Sequence, residues 1–239
     1  MNTILHKSAT RGHADYEWLI SRHSFSFADY YNPERMGFGL IRVLNDDIVE
    51  PSMGFNTHPH RNMEIISIPL SGALRHEDSM GHRHIITTGE VQIMSAGSGI
   101  THSEYNHSDQ EQVNFLQIWI HPKEQNIHPR YAQKGFTLEK QKNHFHTLIA
   151  PRESEESIKI NQEAWLSMAL LEKSSKTRYA RKKEGNGLYY FLIEGQVKIG
   201  SEVLNARDGM GITDATEIEI LAYNTSKLLC IDVPMKHYH

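Results

Sequence analysis

The chain has a single cysteine, Cys230, among 239 residues, so no internal disulfide can brace it. Its neighbours, Leu228-Leu229-Cys230-Ile231, read as a buried strand, and the thiol reads as an inert core group. Basic residues are not in excess. Lys and Arg number 25 against 29 Asp and Glu, for a formal net charge of -4, which argues against DNA or RNA as the primary ligand. No window approaches the ~18 apolar residues of a membrane span. The opening stretch MNTILHKSATRGHADYEW lacks the apolar run and small-residue cleavage pattern of a signal peptide. A cytoplasmic location is the default expectation. No long segment sustains a 3.6-residue period, so helices are expected to be few and short.

What is present is a dense series of strand and turn signals. Residues 39–44 form a short apolar run, and Asn45-Asp46-Asp47 predicts a turn that ends it. Residues 63–68 lead to a turn at Ser71-Gly72. Residues 73–78 and 82–87 read as a hairpin around Ser79-Met80-Gly81. Residues 90–94 and 113–120 add strands, the latter stopped by Pro122. Residues 121–160 turn polar and carry Pro122, Pro129 and Pro151, which predicts a connector with some short elements. Strand signals resume at 165–171 and continue at 188–193, 196–199, 210–213, 217–221 and 228–233.

The two halves echo each other. Ile68-Pro69-Leu70-Ser71-Gly72 is similar to Phe191-Leu192-Ile193-Glu194-Gly195, and the stretch from Thr88-Gly89 is similar to that from Asp208-Gly209. An all-β chain with two β-barrel domains accounts for the echo. The expected division is an N-terminal domain over 1–130, a connector over 131–160 and a C-terminal domain over 161–239.

One pattern carries chemistry. In His58-Pro59-His60 and in His102-Ser103-Glu104, one residue separates the members of each pair. On a strand that spacing sends both side chains to one face. Two such pairs facing each other supply three imidazoles and a carboxylate to one point, a set that suits a divalent transition metal. Glu64 continues the parity of His58 and His60. The small-residue loop Ser95-Ala96-Gly97-Ser98-Gly99 lets the backbone turn sharply before His102. With 16 histidines in the chain, a lone His-x-His means little. His82-Arg83-His84, beside the hairpin turn, reads as solvated surface, and His144-Phe145-His146 as part of the connector. If Gly72 and Gly195 are equivalent, Arg181, Lys183 and Gly187 stand where the first half has His58, His60 and Glu64. Cations cannot replace neutral imidazoles as ligands, so the second half is expected to hold no metal.

Gly54-(x3)-His58-x-His60-(x3)-Glu64 and Gly89-(x12)-His102-(x3)-Asn106 resemble the two motifs of the cupin superfamily. The first Gly lies closer to the His pair than usual. The stretch from Glu64 to Gly72 is one residue longer, Ser95 replaces the usual proline, and extra residues precede His102. The segments His23-Ser24-Phe25-Ser26-Phe27-Ala28-Asp29-Tyr30-Tyr31, Gly54-Phe55-Asn56-Thr57-His58-Pro59-His60 and Gln92 through Glu104 resemble the pirin family more specifically. The similarity covers nearly the whole chain, most strongly residues 10–125, and is nearest to short bacterial pirin-like quercetin 2,3-dioxygenases.

That resemblance implies a bicupin of two jelly-roll (double-stranded β-helix) barrels. It implies one divalent metal in the first barrel, held by His58, His60, His102 and Glu104. Iron is the favoured metal, with copper, nickel, manganese, cobalt and zinc as alternatives. Many other cupins use the first-motif acid, here Glu64, whereas pirins use the second. The implied activity is opening of a flavonol ring by O2 with release of carbon monoxide, Glu104 serving as the catalytic base. The rival reading is a metal-dependent regulatory protein that acts through a protein partner, since nothing in the sequence resembles a DNA-binding helix. Phe38, Phe55 and Phe115 are read as core side chains ahead of pocket-lining ones.

Overall fold

The computed structural model describes residues 2–236, and its regular secondary structure is almost entirely strand. The 3-10 turns Ser8–Thr10 and Glu139–Gln141 are the helical elements among the described residues, and no helix there is long and apolar enough to cross a membrane.

The strands form two barrels of matching design. In the first, a seven-stranded sheet runs in the spatial order Arg130–Gly135, Glu90–Ser95, Glu64–Ser71, Val113–Ile120, Ile41–Val49, Leu19–His23, Gly12–Asp15. It accompanies a four-stranded sheet ordered Gly54–His60, Ile100–Asn106, Ala73–Asp78, Arg83–Thr87. The second barrel repeats the plan. Its seven strands run Asn2–His6, Gly209–Thr213, Asn186–Glu194, Ser226–Pro234, Trp165–Leu171, His146–Ala150, Ile158–Lys159. Its four are Lys176–Ala180, Glu217–Ala222, Gln196–Ile199 and Glu202–Asn205. Gly72 and Gly195 end equivalent strands, and both have positive φ, 75° and 92°. The expected all-β class of two jelly-roll barrels is therefore the one adopted.

The sheets do not divide where the composition changes. Asn2–His6 pairs with Gly209–Thr213 at the edge of the second barrel, in the place that Arg130–Gly135 takes beside Glu90–Ser95 in the first. Residues 131–160, expected as a connector, supply strands to both barrels. Each of these strands covers a sheet edge whose N–H and C=O groups would otherwise lack partners.

Asn45-Asp46-Asp47 requires a correction. The expected turn is the middle of the nine-residue strand Ile41–Val49, and all three residues are buried. Each polar side chain has a partner there, which makes the strand tolerable. Asp46 accepts hydrogen bonds from Arg11 Nη2 (3.2 Å), Arg207 Nη1 (2.8 Å) and Asn114 Nδ2 (2.9 Å). Since Arg207 comes from the second half of the chain, this cluster joins the barrels. Around it the two large sheets share one core, with Ile66, Ile68, Leu116 and Ile118 on one side and Leu166, Met168, Phe191 and Ile231 on the other.

Removing Asp46 leaves two guanidinium groups in a largely buried joint without their counter-charge. Asp46→Ala should cost about 3 kcal/mol of stability, read as a lowered denaturation midpoint. A loss below about 1 kcal/mol would show that the cluster does not hold the barrels together.

Candidate metal centre

Gly54–His60 lies antiparallel to Ile100–Asn106, with His58 opposite His102 and His60 opposite Ile100. The register slips between His102 and Glu104, so that Glu104 faces Phe55. The extra residue sits at Asn56-Thr57. This bulge turns Phe55 towards the same cavity as His58 and His60 in spite of their odd spacing. Gly54 permits the close pairing, because a Cβ there would run into the carbonyl oxygen of Glu104. On the facing strand burial alternates, with Ile100, His102, Glu104 and Asn106 buried. The loop before it turns through Gly97 and Gly99, both at positive φ.

The potential ligand atoms of His58, His60 and His102 lie within 4.8 Å of one another. His58 Nδ1 lies 2.6 Å from the carbonyl oxygen of Asn56. Donating that hydrogen bond leaves Nε2 as the lone-pair nitrogen, 3.0 Å from Nε2 of His102. Nε2 of His60 is buried with no partner at all. Burial, then the neighbouring His102 and His58, push His60 down to about 4. Burial, then His58 and His76, push His102 down to about 3. Three imidazoles with ring nitrogens this close together, two of them held neutral by burial, fit a borderline divalent metal.

Glu104 is held by neutral donors on both oxygens: Ser67 Oγ to Oε1 at 2.8 Å and Gln117 Nε2 to Oε2 at 2.7 Å. It groups with His102 and His76, ligand atoms again within 4.8 Å of one another. His58, His60, His102 and Glu104 thus line one cavity.

Glu64 does not line it. The parity that would have carried Glu64 alongside His60 breaks at Asn62, whose φ is 50°. Glu64 Oε2 instead accepts from Ser95 Oγ (2.8 Å) and from the backbone N–H of Asn161 (3.1 Å). Burial raises its carboxyl pKa, partly offset by those two bonds. The other His-x-His pairs also lie apart from the cavity. His82 Nδ1 meets Asp78 Oδ2 at 2.9 Å, His84 stacks on Tyr131, and His146 Nε2 meets the carbonyl of Gln141.

His76 escaped the sequence reading. It is fully buried, directly across the ladder from Glu104, with Nε2 3.3 Å from Asp78 Oδ2 and Nδ1 without a partner. The available signal was that Leu74, His76 and Asp78 share one parity on the strand Ala73–Asp78.

The cavity measures about 430 Å³. Aromatic and aliphatic walls come from Trp18, Leu19, Phe27, Phe55, Ile65 and Trp119, with Trp119 set edge-on to His60 at 5.0 Å. Phe55 is therefore a lining residue, while Phe38 and Phe115 are buried in the core. The remaining wall is polar, formed by Ser21, His23, Asn45, Asp47 and Gln117. Burial pushes the Asp47 carboxyl up to about 7, against the lowering effect of its bond from Ser21.

Two family models match the chain: Pirin over residues 5–120, and the quercetinase C-terminal cupin domain over residues 147–233. A quercetin 2,3-dioxygenase of Escherichia coli K12 is 41% identical over 230 residues, 96% of this chain and 98% of that protein. The E. coli protein YhhW superposes with a TM-score of 0.94 at 39% identity, covering both chains in full. The crystal structure of that bacterial pirin with nickel(II) gives a TM-score of 0.92 at 39% identity, covering 98% of this chain and 99% of that one.

Imidazole nitrogen chemical shifts, followed against pH in metal-free protein, should show His60 titrating near pH 4 and His102 near pH 3. Because both values are depressed, the two rings stay neutral from high pH down through 6.5, where an ordinary histidine takes its proton. Titration of either ring near 6.5 would contradict the buried, convergent geometry.

Proposed function

This chain belongs to the pirin family, and on that footing we propose that it is a metal-dependent dioxygenase that opens the ring of a flavonol-like aromatic with O2. The family relationship makes it an oxidoreductase. The observation that carries the finer reading is the convergence of three imidazoles on an aromatic-walled cavity beside a fixed carboxylate.

His58, His60, His102 and Glu104 are the proposed ligands of one divalent metal. Iron is the metal expected from the resemblance. Nickel(II), held by the E. coli pirin, stands beside it, with copper, manganese, cobalt and zinc as further trials. When bound, the metal supplies a Lewis acid that lowers the pKa of a coordinated hydroxyl. The protein's own groups do the rest. Trp18, Phe27, Phe55 and Trp119 offer flat apolar surface to an aromatic ring and exclude water from it. Glu104 takes the hydroxyl proton, and Ser67 and Gln117 hold the carboxylate in place for that transfer.

Four measurements test this reading. His60→Ala should strip most bound metal and lower thermal stability, because metal that binds only the folded state stabilises it. His82→Ala should leave metal stoichiometry unchanged, and loss of metal there would overturn the ligand assignment. Metal-loaded protein should consume O2 and bleach quercetin, and metal-free protein should not. Glu104→Gln should lower turnover at least about 100-fold. Retained metal in that variant would favour the base role over the ligand role. Quercetin left untouched with every metal tried would move the reading to a regulatory protein acting through a partner.

A further inference from the structure

The inner face of a barrel sheet is ordinarily apolar, and polar groups buried there cost free energy unless something satisfies them. In this chain a row of polar side chains crosses that face in register. Ser67 stands opposite Gln117, Gln117 opposite Asn45, and Asn45 opposite His23. Next to this row, Asp47 stands opposite Ser21. The Ser67 and Gln117 end holds Glu104. The other end, made of Ser21, His23, Asn45 and Asp47, has no role in the metal centre, although all four line the same cavity and are at most 3% exposed.

These four residues hold one another only in part. Ser21 Oγ donates to Asp47 Oδ1, and His23 Nδ1 lies 3.0 Å from Asn45 Oδ1. No hydrogen bond within the described residues engages Asp47 Oδ2, Asn45 Nδ2 or His23 Nε2. The segment after His23 fixes the ring in place. Phe25 is anchored in the core between the barrels, and Phe27 and Tyr30 flank the imidazole at centroid distances of 5.3 and 6.3 Å. These residues are thus buried and held by their neighbours, with part of their hydrogen-bonding capacity left toward the cavity they line.

We infer that Ser21, His23, Asn45 and Asp47 form a second polar pole of the cavity, which binds and orients the hydroxyl groups that an aromatic substrate carries away from its metal-binding edge. Asp47 Oδ2 accepts from a phenolic O–H, with Ser21 holding the carboxylate. Asn45 Nδ2 donates to a phenolic oxygen, and His23 Nε2 completes the set. The apolar walls between the poles take the ring faces. The substrate class is accordingly a polyhydroxylated aromatic, and a ring lacking the remote hydroxyls would leave the pole unsatisfied. This inference rests on the dioxygenase reading for the identity of the first pole, but its test does not need turnover.

Two of the three tryptophans, Trp18 and Trp119, line the cavity, so quenching of their fluorescence reports occupancy. Metal-loaded full-length protein is titrated with quercetin and with 3-hydroxyflavone, which keeps the hydroxyl–ketone edge and lacks every other hydroxyl. Wild-type protein should prefer quercetin by about fivefold or more, the scale of one net hydrogen bond. Asp47→Asn should bring that preference to within about twofold while leaving 3-hydroxyflavone binding unchanged. Ser21→Ala should give an intermediate loss, and it serves as the readout if Asp47→Asn fails to fold or to load metal. An undiminished preference in the variants, or no preference in wild type, would overturn the second pole. Quercetin turnover by wild type is scored separately. Its absence alone would sink the dioxygenase reading and leave the binding result standing.

Discussion

The pairing of Gly54–His60 with Ile100–Asn106 is the constraint on which the rest of the site depends. Antiparallel register sets His58 across from His102 and brings His60 into the same space. One bulge then decides which other side chains share that space, because it moves Phe55 to the cavity side and offsets Glu104 towards His102 and His76. A strand without the bulge would keep strict alternation and point Phe55 away from the two histidines. The close approach at Gly54 belongs to the same arrangement.

The large sheet behind that pairing serves two ends with one set of strands. Its outer face joins the apolar core shared with the second barrel, and its inner face carries the polar row that begins at Glu104's partners. The strand Ile41–Val49 shows both duties within three residues. Asn45 and Asp47 line the cavity, and Asp46, between them, meets Arg11 and Arg207 at the joint. The second barrel has the same strand order, but its interior is filled by side chains such as Tyr179, Tyr190, Leu192 and Ile220. One barrel is packed solid and the other is left open around a polar lining.

Much of this was legible in the chain itself. The strand periods, the turn glycines and the echo between the halves led to two β-barrels. The two spaced pairs led to His58, His60, His102 and Glu104. The errors have a common form. Asn45-Asp46-Asp47 looks like a turn because polar residues in sequence carry no mark of the partners that will satisfy them, and two of those partners, Arg11 and Arg207, lie far off in the chain. Glu64, the alternative acid, shares the parity of His58 and His60 only if the strand is unbroken, and the positive φ at Asn62 breaks it and leaves Glu64 outside the cavity. His76 was passed over because a lone histidine acquires meaning only from what stands across the ladder.

The sequence alone determined the chemistry on offer: imidazoles, a carboxylate, aromatic rings and strands to carry them. Such properties are local, since residue type and a period of two are fixed by the covalent chain. Tertiary structure alone decided that Glu64 stays out of the cavity, which edge the first strand covers, and which polar residues meet across the barrel. Those depend on register, bulges and long-range pairing, where a one-residue slip exchanges one face of a strand for the other.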